Sequence, residues 1–527
     1  MSEYFSIRSK QLLGRRKIST NRKITGNPQQ DIPTIKEILK ESLPIHLDNA
    51  KKETELFNIF FNGDDWWAKS KVQRNDINNK ISVPSAWAIT RTLNGYCFGE
   101  PIKYIARNSE GGIEKQQQIE RLSAMLDYAH NHDSTTMATL CSSVCGLGYK
   151  LVLPATLEEY EETGVPFVIN DNIIFPQLAF IVVSDEVIPR DVLGVVIGNY
   201  YDKENQRQGF QYTCWTKYHQ FVFKDGDNLD DFDLVKQIGQ DDVEYDFYAL
   251  TSRKIPLVEV ERNAFRKGDW EVATDLLMLK NKLMSNREDD IEQVVDYILV
   301  LINCKFETEK ERRDAINNRL FELQTTDPNN KPAIEVLKNA LEQNGVQTYA
   351  DYIDKLIQES IGIPSRQEKG YGGGDTGSAV QYRNGFRDLE NNAGIIIPKM
   401  DKAELKFLSV CINYCKNMSS NKIGDLMPYD VRCKFNRSLT DDIVSSSQAF
   451  LNYANGGLSL VDALILSKSG TDPSEIAAKA KKAFEDGETL LQRNANANAS
   501  VETEGTEPIA KNTSTQNNVL ETTETNS

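Results

Sequence analysis

The sequence predicts an α+β fold, with helices on either side of a β-rich middle section and a polar tail that cannot order itself. Three observations lead there. Apolar residues recur at helical spacing in 32–61 and 119–145. Between 149 and 260 the pattern changes to short β-branched and aromatic runs punctuated by Gly, Asp and Asn. Helical spacing then resumes at Asp269. A chain of 527 residues also exceeds what one hydrophobic core supports, so two or more domains are expected.

The elements follow in order. Residues 1–30 are polar and basic, with Arg8, Lys10, Arg15, Arg16, Lys17, Arg22 and Lys23 against Glu3 alone. They predict a loose, solvated arm, or one that touches an acidic neighbour or DNA. Ile35, Ile38 and Leu39 behind Pro33, then the aromatic-rich stretch to Phe61, predict a helix. A polar link at Gly63-Asp64-Asp65 leads to Asn78-Asn79-Lys80-Ile81 and an apolar stretch through Trp87, Ile89 and Leu93. Residues 119–145 predict helix. The β-rich section carries Phe167-Val168-Ile169, Phe180–Val183, Val195–Ile197 and Tyr212–Trp215 at hairpin-like intervals.

Asp269 is placed to cap a helix with Glu271 in its first turn and Ala273, Leu276, Leu277, Leu283 and Met284 on its apolar face. After Asp289-Asp290 it yields to a strand-like run, Tyr297–Leu301. A second helix shows Tyr349, Tyr352, Ile353, Leu356 and Ile357 on one face and stops at Gly362-Ile363-Pro364. A glycine loop follows, from Arg366 to Gly377. Two more helices are expected, one with Ala379, Tyr382, Phe386, Leu389 and Ala393, the next with Leu405, Leu408, Ile412 and Cys415. Val431–Phe435 predicts a strand. Ser459-x-x-Asp462 and, more strongly, Asp472-Pro473-Ser474-Glu475 are helix-start signals. Beyond Arg493 the chain is too poor in apolar residues to bury a core.

The net charge of −16 argues against a protein that wraps nucleic acid through many phosphate contacts, though not against one that lets it slide past. No apolar segment follows a basic one near Met1, so no signal peptide is expected, and no membrane span is seen. The eight cysteines form no Cys-x-x-Cys knuckles; Cys141/Cys145 and Cys411/Cys415 suit helix faces, which predicts reduced, mostly buried thiols. His130 and His132 lack supporting ligands. The glycine loop lacks the lysine of a phosphate-binding Walker loop, since Ser378 follows Gly377. The acidic pairs Asp241-Asp242 and Asp289-Asp290 could hold a divalent metal but read more simply as solvated charge. No catalytic constellation stands out, and neither a metal nor a cofactor is expected.

Several local patterns coincide, in order, with those of the long-chain portal proteins of tailed bacteriophages of the siphovirus type. Asn78-Asn79-Lys80-Ile81 followed by Gly95–Ile102 resembles that family's early motif. Ile255–Glu259, Gly268-Asp269-Trp270-Glu271, Ser285–Ile291 and the Tyr297–Leu301 run are similar to its central motif. Gly377-Ser378-Ala379-Val380 resembles the start of its long helix, and Val431–Asn436, Gly457–Ser459 and Asp472–Glu475 its closing pattern.

That resemblance, over residues 35–486, implies a portal fold and no enzyme. It implies a basic arm (1–30), a wing (31–264, β-rich over 149–260), stem helices (265–292 and 347–362) around a clip (293–346), and a tunnel loop (363–378). The wing's long helix and strand (379–440), a helical crown (441–490) and a disordered tail (491–527) complete it. It further implies a homo-oligomeric ring of about twelve subunits in the virion, at the capsid's portal vertex, assembled in the host cytoplasm. Its partners would be double-stranded DNA passing through the channel, the terminase large subunit, the head-tail adaptor, and major capsid and scaffold proteins. Arg366 and Lys369 would graze phosphates, and Gly370, Gly372, Gly373, Gly374 and Gly377 would let the loop follow the DNA. The alternatives are a packaging ATPase or nuclease of the same phage module, or a scaffold or minor capsid protein without a channel.

Overall fold

A computed structural model describes residues 14–63, 78–107, 112–201, 207–226, 231–238, 244–295, 298–302, 333–337, 343–364, 386–418, 423–436 and 443–456, with a few isolated positions besides. The chain divides into two units, 1–439 and 440–527.

The first departure from expectation comes at once. From Gly14 onward the basic N-terminal stretch is folded rather than loose. The N–H groups of Gly14 and Arg15 donate to the carbonyls of Phe265 and Arg266. Strand β1 (Ile18–Thr20) pairs in parallel with β5 (Ala179–Ser184). The cations find their counter-charges within the chain: Arg15 lies 2.6 Å from Glu271, Lys17 3.2 Å from Glu261 and Arg22 2.7 Å from Glu41. The sequence displays the charges but not acids so far along the chain, and local composition therefore points to solvation.

Helix α1 (Pro28–Phe60) starts where Asn27 accepts from the Gln29 N–H, with proline at the first helical position. Its Ile35, Ile38 and Leu39 are fully buried. They pack on a seven-stranded sheet ordered β1-β5-β6-β7-β8-β12, where β6 is Asp191–Tyr201, β7 Arg207–Trp215, β8 His219–Asp225 and β12 Tyr248–Ala249; β9 (Phe232–Leu234) pairs with β8. Alternation along these strands aims Phe180, Val182, Leu193, Val195, Tyr212, Cys214, Phe221 and Phe223 at α1.

The opposite face presents Ala179, Ile181 and Trp215 to Tyr149, Ile255 and Leu257. Tyr149 and Leu257 belong to a three-stranded sheet, β13 (Leu257–Glu261), β3 (Leu147–Pro154) and β4 (Phe167–Ile169). The two sheets approach closely at Gly194, where a Cβ would lie 2.9 Å from Ile255. Beyond the three-stranded sheet, Val152, Val258, Val260, Phe167 and Ile169 join the main helical core. A short helix that periodicity did not reveal, α5 (Leu157–Thr163), opens with a Thr156–Glu159 capping box.

The helical layer contains α2 (Ser85–Phe98), α3 (Gly112–Tyr128), α4 (Asn131–Cys145) and α8 (Phe386–Asn417). The helix expected over 119–145 is two helices. They break at His130, whose φ of 57° is left-handed, and no glycine or proline marks the spot. The reverse holds for α8, where two expected helices are one from Phe386 onward; Ala379 and Tyr382 lie outside the described residues. Pro398 sits inside α8 and forfeits one ladder bond. Burial of Leu389, Ala393, Ile396, Met400, Ala403, Phe407, Val410 and Tyr414 along the helix outweighs that loss, at about 1.5–3 kcal/mol for each large side chain. Strand β16 (Val431–Lys434) pairs antiparallel with β2 (Lys103–Ala106). The cysteines among the described residues are buried free thiols, and burial pushes Cys141 up to about 12.

Gly146 ends α4 at φ +87°, and a Cβ there would meet the Arg266 carbonyl at 2.4 Å. Backbone cannot yield as a side-chain tip does. Gly146→Ala is therefore expected to destabilise the protein by about 1–3 kcal/mol, visible as a lowered thermal midpoint.

In the second unit, α9 (Ile443–Asn455) is described. The helix-start signals at Ser459–Asp462 and Asp472–Glu475 lie outside the described residues.

Candidate functional site

The loop residues singled out from the sequence (Arg366, Lys369, Gly370, Gly372, Gly373, Gly374 and Gly377) lie outside the described residues. Their flanks are described. Helix α6 (Thr274–Val295) follows a single 3-10 turn at Glu271–Ala273, and α7 (Gln343–Ile361) returns beside it. Lys280 reaches Asp354 at 2.5 Å and Arg287 reaches Gln347 at 2.7 Å. The two contacts step seven residues in opposite directions, so the helices run antiparallel. Between them in the chain, β14 (Ile298–Ile302) and β15 (Ala333–Leu337) form an antiparallel pair.

On α7, Ile353, Ile357 and Ile361 are buried, whereas Tyr349 and Tyr352, expected on the same face, are 46% and 55% exposed. The helix ends at Gly362, whose φ of +72° suits glycine; its N–H and that of Ile363 both donate to the Gln358 carbonyl. Across the joint, Asn392 of α8 donates to the carbonyls of Ile361 (2.7 Å) and Gly362 (3.1 Å). This clamp ties the C-terminal end of α7 to the N-terminal part of α8.

A second device steadies α6. Along it Asn281, Ser285 and Asp289 point one way, and the N–H groups of Val83, Ile81 and Asn79 donate to them at 3.0, 2.8 and 2.7 Å. Two residues of an extended segment advance about 6.6 Å and four helical residues about 6.0 Å. Every second N–H of the 79–83 segment, which is not part of a sheet, therefore meets every fourth residue of the helix. Asp289, weighed from the sequence as half of a metal-holding pair with Asp290, is 1% exposed and occupied by this contact. Asp241-Asp242 lies outside the described residues. Among the described residues no group of three or more His, Cys, Asp and Glu side chains is arranged to hold a metal ion, and no helix is long and apolar enough to cross a membrane.

Three polar centres fasten the surrounding scaffold, and sequence reasoning missed all of them. Lys150 of β3, fully buried, donates to Glu404 of α8 (2.8 Å), Asn131 (2.8 Å) and Thr135 (3.0 Å); Tyr104 donates to the same Glu404 (2.7 Å). Arg262 donates to both oxygens of Asp269 (2.8 and 2.6 Å), and Ser143 donates there too. Arg266 bridges Glu259 and Glu261. Burial works against ionisation of Glu261, yet Lys399, Lys17 and Arg266 hold its carboxyl at about 2.

Near the third centre, α1 carries two buried titratable groups. Burial raises Glu53 to about 7, only partly opposed by Arg15 and Arg266 and assisted by Glu259. Burial lowers His46 to about 4, against its bond to the Gln177 carbonyl. Between pH 4.5 and 7 folded Glu53 keeps a proton that the unfolded chain has lost, so its contribution falls as pH rises. For His46 the unfolded chain takes up a proton below about 6.5 that the folded ring refuses, so stability is lost as pH falls toward 4. The two slopes oppose each other. Glu53→Gln should raise stability at pH 8 by up to about 3 kcal/mol and leave the His46 slope uncovered, read from denaturant midpoints at pH 4.5, 6.5 and 8. Equal pH slopes in variant and wild type would contradict this.

The model of the phage portal protein family, SPP1 Gp6-like, matches residues 30–488 of this chain. A solved chain in the neck of an empty GTA particle computed with C6 symmetry is similar at 11% identity, covering 79% of this chain and 98% of that one, with a TM-score of 0.39. No curated protein matches.

Proposed function

This chain belongs to the SPP1 Gp6-like phage portal proteins, and from that premise we propose how its parts serve the channel of a capsid vertex. It is a portal protein. In the proposed assembly about twelve copies close into a ring in the virion, put together in the host cytoplasm, through which double-stranded DNA is packaged and later ejected. The antiparallel α6–α7 pair forms the stem, with 293–346 as a clip that meets the terminase large subunit and then the head-tail adaptor. Residues 31–264 and 379–440 form the wing, 441–490 a crown and 491–527 a disordered tail; capsid and scaffold proteins surround the ring.

The tunnel loop is 363–378, with Arg366 and Lys369 grazing phosphates and Gly370, Gly372, Gly373, Gly374 and Gly377 lending freedom. Support comes from the clamp of Asn392 on the carbonyls of Ile361 and Gly362, which holds the end of α7, where the segment begins, against α8. The net charge of −16 supports the same reading, because a wall that held each phosphate tightly would stall moving DNA. The protein itself catalyses nothing in this proposal.

The single observation that carries the reading is the family match over 30–488. Electron microscopy of the purified protein is expected to show rings with a central hole. Arg366→Ala with Lys369→Ala is expected to lower DNA packaging severalfold in a reconstituted head without changing ring formation. Packaging at the wild-type level would remove the loop from the channel; ATP turnover by the pure chain would favour a packaging enzyme instead.

A further inference from the structure

The hairpin between β5 and β6 ends in a tip that exposes apolar side chains where a monomer has no use for them. Val187 is 102% and Ile188 75% exposed, side by side. The tip is ordered at its base: the Ser184 N–H donates to the Arg190 carbonyl, the Arg190 N–H to the Ser184 hydroxyl, and the Asp185 N–H to the Thr20 carbonyl. Two acids, Asp185 and Glu186, directly precede the aliphatic pair. Single exposed aliphatics are common, but an adjacent pair at the tip of a turn whose base is hydrogen-bonded is the form of an anchor that enters a pocket.

The same chain carries a groove of matching character. It has a volume of about 470 Å³ and is floored by Ile397, Pro398, Cys433 and Phe435. Arg107 and Arg432 stand in its lining, both exposed. Asp401, the acid there, is engaged with the Cys433 thiol, whose pKa is raised, chiefly by burial and in part by this bond. The groove therefore offers an apolar floor under two arginines, against a tip with two aliphatics beside two carboxylates.

Tip and groove are different surfaces, so a tip of one copy in the groove of another can be repeated head-to-tail, the kind of contact that closes a ring when its rotation closes. We propose that the Val187–Ile188 tip of one copy seats in the Arg107/Arg432 groove of the next. The proposal rests on the ring reading above and adds the surface by which neighbouring wings engage.

The experiment pairs Ile188→Cys with Arg432→Cys in the full chain. Mild oxidation followed by non-reducing electrophoresis is expected to give a ladder of dimer, trimer and higher species, while either single variant stays monomeric. Val187→Ser with Ile188→Ser is expected to raise the concentration needed for rings by at least about tenfold, since two aliphatic side chains lose their burial. Below the concentration at which either protein forms rings its thermal midpoint should equal that of the unmodified chain, because both side chains face solvent in the monomer. Light scattering of the unmodified protein separates the two readings. If it forms rings while the double-cysteine chain gives no ladder, the tip–groove contact falls and the portal ring stands. Dimers from Ile188→Cys alone would mean that tips meet tips, which also overturns it. Absence of rings from the unmodified chain at any concentration would sink both.

Discussion

Lys150→Ala is expected to cost about 3–5 kcal/mol of stability, because it leaves the Glu404 carboxyl fully buried and without its cation. The ammonium spends all three protons, on Glu404, Asn131 and Thr135, and sits 4.0 Å from the centre of the Phe407 ring. Glu404 receives the Tyr104 hydroxyl as well, and the charge of that carboxylate, after burial itself, raises the tyrosine's pKa far above its usual value. Every polar member of the network is satisfied, which is the condition under which a buried pair is tolerated. The loss is measured as a drop in the urea midpoint at unchanged slope. Replacing both partners, as Lys150→Met with Glu404→Leu, should recover most of it, since no charge is then stranded. A single variant as stable as wild type would mean that the pair contributes nothing.

Trp270→Ala is the second large effect, expected at about 3–5 kcal/mol through the cavity it leaves. The indole is fully buried in the main helical core and donates to the Thr90 hydroxyl at 3.2 Å. Its neighbours cannot collapse into the space. Asp269 before it is held by Arg262 and Ser143, and a Cβ on Gly268 would lie 2.1 Å from the Val144 carbonyl. Glu271 after it holds Arg15 and the Gly268 N–H. Trp270→Phe, which keeps most of the volume and loses the donor, should cost clearly less. Equal losses in the two variants would point to the hydrogen bond rather than the cavity.

Gly268-Asp269-Trp270-Glu271 shows how far the sequence can be read. Its resemblance to a portal motif was visible, and the family match bears the family out. What the four residues do was not visible. Asp269 was expected to cap a helix, yet it anchors Arg262, and α6 starts five residues later at Thr274.

The β-rich section was legible because its strands alternate under one helix. The boundaries of α3, α4 and α8 were not, because His130 breaks a helix with no breaker residue and Pro398 fails to break one. Periodicity reports faces, and tertiary burial decides where they stop. The Asn281, Ser285, Asp289 stripe did carry a signal, polar residues four apart on an amphipathic helix, but its partner at 79–83 could not be inferred from it. Lys150 and Glu404 carried none, since either alone reads as surface charge. The proposed loop residues remain a matter of resemblance and glycine content.

The Lys150–Glu404 bridge joins residues 254 apart in the chain, and Arg15–Glu271 joins residues 256 apart. Such closures make folding wait on synthesis. While Glu404 is still unmade on the ribosome, β3 holds an ammonium it cannot yet enclose, so the core around β3 can set only once α8 emerges. A nascent or truncated chain ending before residue 404 is thus kept from its final packing, and incomplete subunits present the wrong surfaces to any closing assembly.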